Sequence, residues 1–218
     1  MIIRKILMAR KSIWVAVSSH LQIWPNSQTP TAVLMNPILS TLGQAPRITA
    51  TKFLSRLVYI GRLDNPQKRP ERMLPIGAAC DLDVEMIGQG LMEESLQSEV
   101  IAKGLKVDFA GFVHDPWSHV RAGDLLIVPS AWEGDGLVVL ECMQRDIPIL
   151  LSDIPDFRRF GLPEKNYCRD VGDFVERINN FRDDLTSLIV PEFIKNPILA
   201  SRSPDYIGNT WENFLNSI

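Results

Sequence analysis

The chain has 218 residues, 45% of them hydrophobic and 22% charged, with 23 basic and 26 acidic side chains for a formal net charge of -3. A chain of this length buries a sizeable core, as one large domain or one domain plus a fragment, and the composition excludes a disordered or membrane-spanning class. The weak acidity excludes whole-chain attraction to nucleic acid or anionic lipid, so any anion site must be local. The opening stretch MIIRKILMARKSIWVAVSSH imitates a secretory signal, with early positive charge and Ala16-Val17-Ser18 in place of a cleavage site. Its uninterrupted apolar run, 13–17, is too short for a signal and Arg10-Lys11 breaks any longer one, so a strand is expected there. Residues 22–52 contain Pro25, Pro30, Pro37 and Pro46 among many Ser, Thr, Gln and Asn, around one apolar run at 31–35, and read as a linker region.

From Leu54 onward a regular alternation begins. Apolar runs at 57–60, 84–87, 107–112, 125–128 and 147–151 have strand length without the strict alternation of a half-exposed strand, which predicts strands buried on both faces. Segments of helical length lie at 70–79, 92–103, 116–122, 136–145 and 171–181. Strands alternating with helices predict an α/β fold, a parallel sheet with helices on both faces. Cys80, Cys142 and Cys168 are odd in number and lack CxxC spacing, which fits a reducing compartment better than a disulfide framework or a zinc site.

Ligands bind such a sheet beyond the carboxyl ends of its strands. The residues there are Gly61-Arg62, Gly88-Gln89-Gly90, Phe112-Val113-His114 and the stretch 130–136. In SAWEGDGLVVLE the turn Glu133-Gly134-Asp135-Gly136 leads from a strand into a helix, so it is either a phosphate cradle of backbone amides or an ordinary glycine turn. Glu141 lies inside an apolar helix and needs donors, either sugar or ribose hydroxyls or a structural ion pair. Arg62 and Lys68, with Arg69 beside it, offer a planar fork and a point charge to a diphosphate, or else form a solvated basic loop. Asp81-Leu82-Asp83 has an Asp-x-Asp form but precedes its strand, and His20, His114 and His119 lack metal-ligand spacing, so no metal is expected. Neither a GxSxG elbow nor a GxxxxGK[ST] loop occurs.

Together GRLDNPQKRP, MIGQG, VDFAGFVHDP, LLIVPSAWEGDGLVVLE and IPILLSDIPDF resemble the carboxyl-terminal, donor-binding half of family-4 retaining glycosyltransferases with the GT-B fold, over residues 54–178. The resemblance implies a Rossmann-like domain in which Glu133 contacts donor-sugar hydroxyls and Glu141 the ribose, while Arg62 and Lys68 take the diphosphate. It implies that the amides of Asp135, Gly136, Leu137 and Val138 hold phosphate, that Phe112 and Val113 flank the base, and that Gly61, Gly90 and Gly134 line the donor site. SIWVAVSSHLQ and TAVLMNPI resemble the last strands of a preceding Rossmann domain. Residues 1–50 then read as the remnant of an acceptor domain with its linker, 51–200 as the nucleotide-sugar-binding domain and 201–218 as a carboxyl-terminal helix.

The chain departs from the family pattern at three places. Asp135 stands where an aromatic is common and brings an extra carboxylate near the donor sugar, Arg69 stands where Gly often follows the Lys, and Gln144-Arg145-Asp146 replaces a small residue and Gly. The implied function is donor binding in a retaining, metal-independent transferase with no cofactor, moving a hexose or N-acetylhexosamine from a UDP-sugar or GDP-sugar to a glycan or lipid-linked glycan. The isolated half is expected to be inactive in transfer. A cytoplasmic location with peripheral association at the inner membrane face goes with this, carried by the Arg4-Lys5 and Arg10-Lys11 pairs. A non-catalytic nucleotide-sugar-binding module working with a partner and a GT-B sugar-nucleotide epimerase are the alternatives.

Overall fold

The computed structural model describes residues 5–8, 11–16, 31–38 and 51–217. Arg4, Arg10, His20, Pro25, Pro30 and Pro46 lie outside them. A small sheet holds β1 (Lys5–Met8), β2 (Lys11–Ala16) and β3 (Thr31–Val33), with β1 and β2 antiparallel and β2 and β3 parallel. The run expected as a strand is β2. β3 falls in the apolar run 31–35, inside the stretch read by composition as linker, where TAVLMNPI resembles a strand of a preceding domain.

The main sheet contains β4 (Arg56–Ile60), β5 (Asp83–Ile87), β6 (Val107–Gly111), β7 (Asp124–Val128), β8 (Ile149–Ser152) and β9 (Tyr167–Cys168). All its pairings are parallel and the order is β6-β5-β4-β7-β8-β9. The chain therefore winds outward from β4 in one direction, returns, and winds outward from β7 in the other, placing the switch between β4 and β7.

Successive side chains of a strand point to opposite faces, so a sheet covered on both sides requires unbroken apolar runs. Leu57, Tyr59, Val84, Met86, Leu125 and Ile127 pack on one face with α1 (Met73–Cys80), α2 (Glu93–Lys103) and α5 (Val171–Phe181). Val58, Ile87, Leu126, Val128, Ile149 and Leu151 pack on the other with α3 (Leu137–Gln144). The exception is β6, predicted as buried on both faces but half-exposed because it ends the sheet.

The helix expected at 116–122 is a single 3-10 turn, Pro116–His119, after which Val120 is extended. Its capping Asp115 side chain accepts from the Trp117 amide at 3.2 Å, which closes the turn, and too few residues remain before β7 for a second one. β9, α4 (Pro155–Arg158) and α6 (Glu192–Ala200) were not anticipated; β9 has two residues, α4 has four, and Pro197 interrupts the pattern of α6. The last helix, α7, spans Pro204–Asn216, with Trp211 and Phe214 edge to face at 6.4 Å between ring centroids. Among the described residues no helix is long and apolar enough to cross a membrane.

Two of the departures from glycine fall on left-handed backbone. Arg69 has φ 49° and Asp146 φ 58°, a region where a side chain costs about 1 kcal/mol and glycine costs nothing. The conformation that glycine favours is thus kept without it.

Candidate functional site

At the carboxyl ends of β4, β5 and β6 an open cleft of about 800 Å³ is lined by residues that include Gly61, Arg62, Gly90, Phe112 and Val113. Phe112 is exposed and Val113 half-buried. The other expected ligands are not among the walls of this cleft; Lys68 meets Glu133 and the glycine turn beyond β7, and Glu141 lies on α3.

In that second group Lys68 Nζ donates to Glu133 Oε1 at 2.6 Å, and Ser130 Oγ donates to the same oxygen at 2.8 Å. Glu133 is only 6% exposed, so its charge depends on the Lys68 ammonium. The Glu133 amide donates to Asp156 Oδ2 at 2.7 Å, which ties the start of the turn to α4. Gly136, with φ 65°, ends the turn and caps α3, and a Cβ there would press within 3.3 Å of the Phe160 ring. Among the described residues, no acceptor takes the amides of Asp135, Gly136, Leu137 or Val138. A row of unbonded amides at a helix N-terminus, next to an ammonium, is suited to an anion.

Arg62 connects the two groups. Its guanidinium, 62% exposed, donates to Asp64 Oδ2 at 2.9 Å and to Gln67 Oε1 at 3.0 Å. The Gln67 carbonyl accepts from the Ala131 amide at 2.8 Å, so the basic loop is tied to the segment that leads into the turn.

Asp135 corrects an expectation. Its carboxylate does not stand free as an extra charge for the sugar: Arg202 Nη1 lies 2.8 Å from Oδ1 and Asn36 Nδ2 donates to Oδ2 at 2.9 Å.

Glu141 accepts from Trp117 Nε1 at 3.1 Å, and the Arg145 guanidinium sits 4.5 Å from the centre of the Trp117 ring while donating to the Glu141 carbonyl. Burial raises the Glu141 carboxyl above the usual carboxylate range, against the Trp117 hydrogen bond and the Arg145 charge that lower it. A raised carboxyl stabilises the fold at low pH and loses that contribution as pH rises through the folded value. Glu141→Gln keeps an acceptor for Trp117 and is therefore expected to raise the thermal midpoint at pH 7.5 while changing little at pH 3.5. An unchanged or lower midpoint at pH 7.5 would show that the ionised carboxylate carries no burial penalty.

The sequence features set aside lie elsewhere. Asp81 caps the end of α1 and accepts from Lys106 at 2.9 Å, and Asp83 opens β5, so both lie at the amino end of that strand. His119 contacts Glu85 at 2.6 Å in an ionic cluster with Arg56 and Asp124, and His114 is exposed. Burial raises all three free thiols, Cys168 to about 12.

Sequence reasoning missed several residues that hold the site. Ser130 lies in the strand-end stretch 130–136 but was given no role of its own, and Asp156 lies in SDIPDF, where a polar residue flanking an apolar strand was the available signal. Asn36, Trp117, Arg159 and Arg202 carried no local signal.

The parallel six-stranded sheet, its switch between β4 and β7, and the glycine-lined carboxyl edge define a Rossmann-like α/β domain of the GT-B glycosyltransferase type. The chain belongs to the family Glycosyl transferases group 1, which matches residues 55–184. It is 30% identical over 130 residues to a phosphatidyl-myo-inositol mannosyltransferase of Mycobacterium leprae (strain TN), covering 56% of this chain and 34% of that protein. Its fold matches the apo form of the lipopolysaccharide outer core galactosyltransferase WaaB with a TM-score of 0.63 at 22% identity, over 93% of this chain and 61% of that one. It matches Anabaena Alr3699/HepE in complex with UDP and glucose with a TM-score of 0.71 at 18% identity, over 94% of this chain and 63% of that one. The chain thus spans about a third of the length of the curated relative.

Proposed function

We propose that this chain is the donor-binding domain of a family-4 retaining, metal-independent glycosyltransferase, moving a hexose or N-acetylhexosamine from a UDP-sugar, or a GDP-sugar, to a glycan or lipid-linked glycan. The observation that carries the reading is the Lys68–Glu133 pair at 2.6 Å beside the unbonded amides of the glycine turn. A nucleotide diphosphate-sugar needs positive groups for its phosphates and an acceptor for its sugar hydroxyls, and this arrangement holds both side by side. Family membership and the solved relative carrying UDP and glucose support the same reading.

In this account the diphosphate takes over Lys68, the amides of 135–138 and the exposed Arg62, and Glu133 turns to the sugar. Glu141 accepts from the ribose, Phe112 and Val113 flank the base, and Gly61 and Gly90 let the nucleotide approach the backbone. Stabilising the departing diphosphate is the protein's main chemical contribution, and the acceptor hydroxyl attacks on the face that the diphosphate leaves. The acceptor is held by a second domain, at the cytoplasmic membrane face when it is lipid-linked, so this chain by itself binds donor without transferring it. Calorimetric titration with UDP, GDP and their sugar conjugates, with and without EDTA, tests this. Saturable binding of one nucleotide, unchanged by EDTA, is expected; no binding to any of them, in this chain and in a longer one carrying the acceptor domain, would overturn it.

A further inference from the structure

We infer that Asp135 is a positioning residue: together with Arg202, Arg159 and Asn36 it clamps the glycine turn in the shape that receives a diphosphate, and so makes the segment just ahead of α7 part of the donor site. This rests on the donor-binding reading above.

The Asp135 and Arg202 side chains are 5% and 4% exposed, and their charges meet at 2.8 Å. Asp135 Oδ2 also accepts from the Asn36 side chain at 2.9 Å and the Asn36 amide at 3.3 Å. Arg159 Nη2 donates to the Asp135 carbonyl at 2.6 Å, so the backbone of the turn is held as well as its side chain. Arg202 closes the knot by donating to the Asn36 carbonyl at 3.2 Å and accepting from the Ile38 amide at 2.9 Å.

Two consequences follow for an anion on the neighbouring amides. A lone buried carboxylate in the turn would repel a diphosphate, whereas here it is offset by two guanidinium groups, Arg202 at 2.8 Å and Arg159 at 3.5 Å. The same bonds fix the turn before ligand arrives, which lowers the ordering cost of binding.

The test uses Asp135→Asn, Arg202→Met and Arg202→Lys, with two readouts: hydrogen exchange of the amides at 134–139 in the unliganded protein, and calorimetric affinity for UDP and GDP. Arg202→Met is expected to speed exchange at the turn and weaken nucleotide binding about tenfold or more, as for loss of one charged hydrogen bond. Arg202→Lys, which keeps the charge and one donor, is expected to recover most of the affinity. Asp135→Asn separates the clamp from simple charge: removing a negative charge beside a diphosphate would by itself tighten binding, whereas loosening the turn weakens it. Unchanged exchange at 134–139, with unchanged or tighter affinity in Asp135→Asn and Arg202→Met, would overturn the proposal. Wild-type protein that binds neither nucleotide would sink the donor-binding reading instead, and the exchange measurement would then decide the clamp alone.

Discussion

Lys68→Ala is expected to abolish UDP binding and to lower the thermal midpoint, while the double substitution Lys68→Ala/Glu133→Gln recovers the midpoint and leaves binding lost. Glu133 is buried, and without the ammonium 2.6 Å away its charge keeps, among the described residues, the Ser130 hydroxyl at 2.8 Å. Breaking a fully buried pair from one side costs about 3–5 kcal/mol. The Lys68 side chain is 20% exposed, so water repays part of this and about 2–3 kcal/mol is expected, or roughly 4–12 °C for a chain of this size. Gln at 133 has no charge to compensate and can still accept from Ser130, which removes the stability defect. It does not restore a cation for the diphosphate. A single variant of wild-type stability would show that Lys68 does not carry the Glu133 charge, and a double variant that binds UDP normally would remove Lys68 from the donor site.

Gly88→Ala is expected to destabilise the domain by about 4 kcal/mol or to prevent folding, as steric conflicts with no room to relax do. An ideal Cβ at Gly88 would lie 1.9 Å from the Gly61 carbonyl oxygen, with φ at 137°. The obstacle is backbone, and that backbone is fixed, because the Gly61 amide donates to Ile87 at 3.0 Å and the Gly88 amide to Gly111 at 2.8 Å. Relief requires the ends of β4 and β5 to part, which deforms the cleft beside the switch point. Gly104→Ala is the control: its φ of 61° is also left-handed, but nothing lies within 4 Å of its Cβ, so the expected loss is about 1 kcal/mol. Urea unfolding of the two variants separates clash from backbone strain. Equal losses would mean that the approach of Gly88 to Gly61 contributes nothing in solution.

The pair Gly88 and Gly90 also shows a structural reason for a short glycine motif. As a dinucleotide fingerprint Gly88-Gln89-Gly90 is weak, and no phosphate role is needed to explain it. A Cβ at Gly90 would meet the Leu63 carbonyl at 2.5 Å, so both glycines answer to the backbone of the neighbouring β4 loop.

What the sequence determined by itself was the layered α/β architecture and the strand ends that hold the candidate ligands. A parallel sheet covered on both faces needs continuous apolar runs, and its ligands bind where those runs end, so local composition carried Arg62, Lys68, Glu133 and the glycine turn. Weak or short elements were lost: β9 and α4 have too few residues to show a period, and β6 reads like its neighbours because exposure at a sheet edge depends on strand order. Only the tertiary structure decided which charges meet. Lys68 and Glu133 are 65 residues apart, Asn36 and Asp135 are 99 apart, and Asn36 and Arg202 are 166 apart. No local rule connects residues at such distances, since each pairing depends on how the sheet closes and on where the last helices return. That is why Asp135 read as a stray charge beside a sugar, and why the folded chain makes it the centre of an ionic knot.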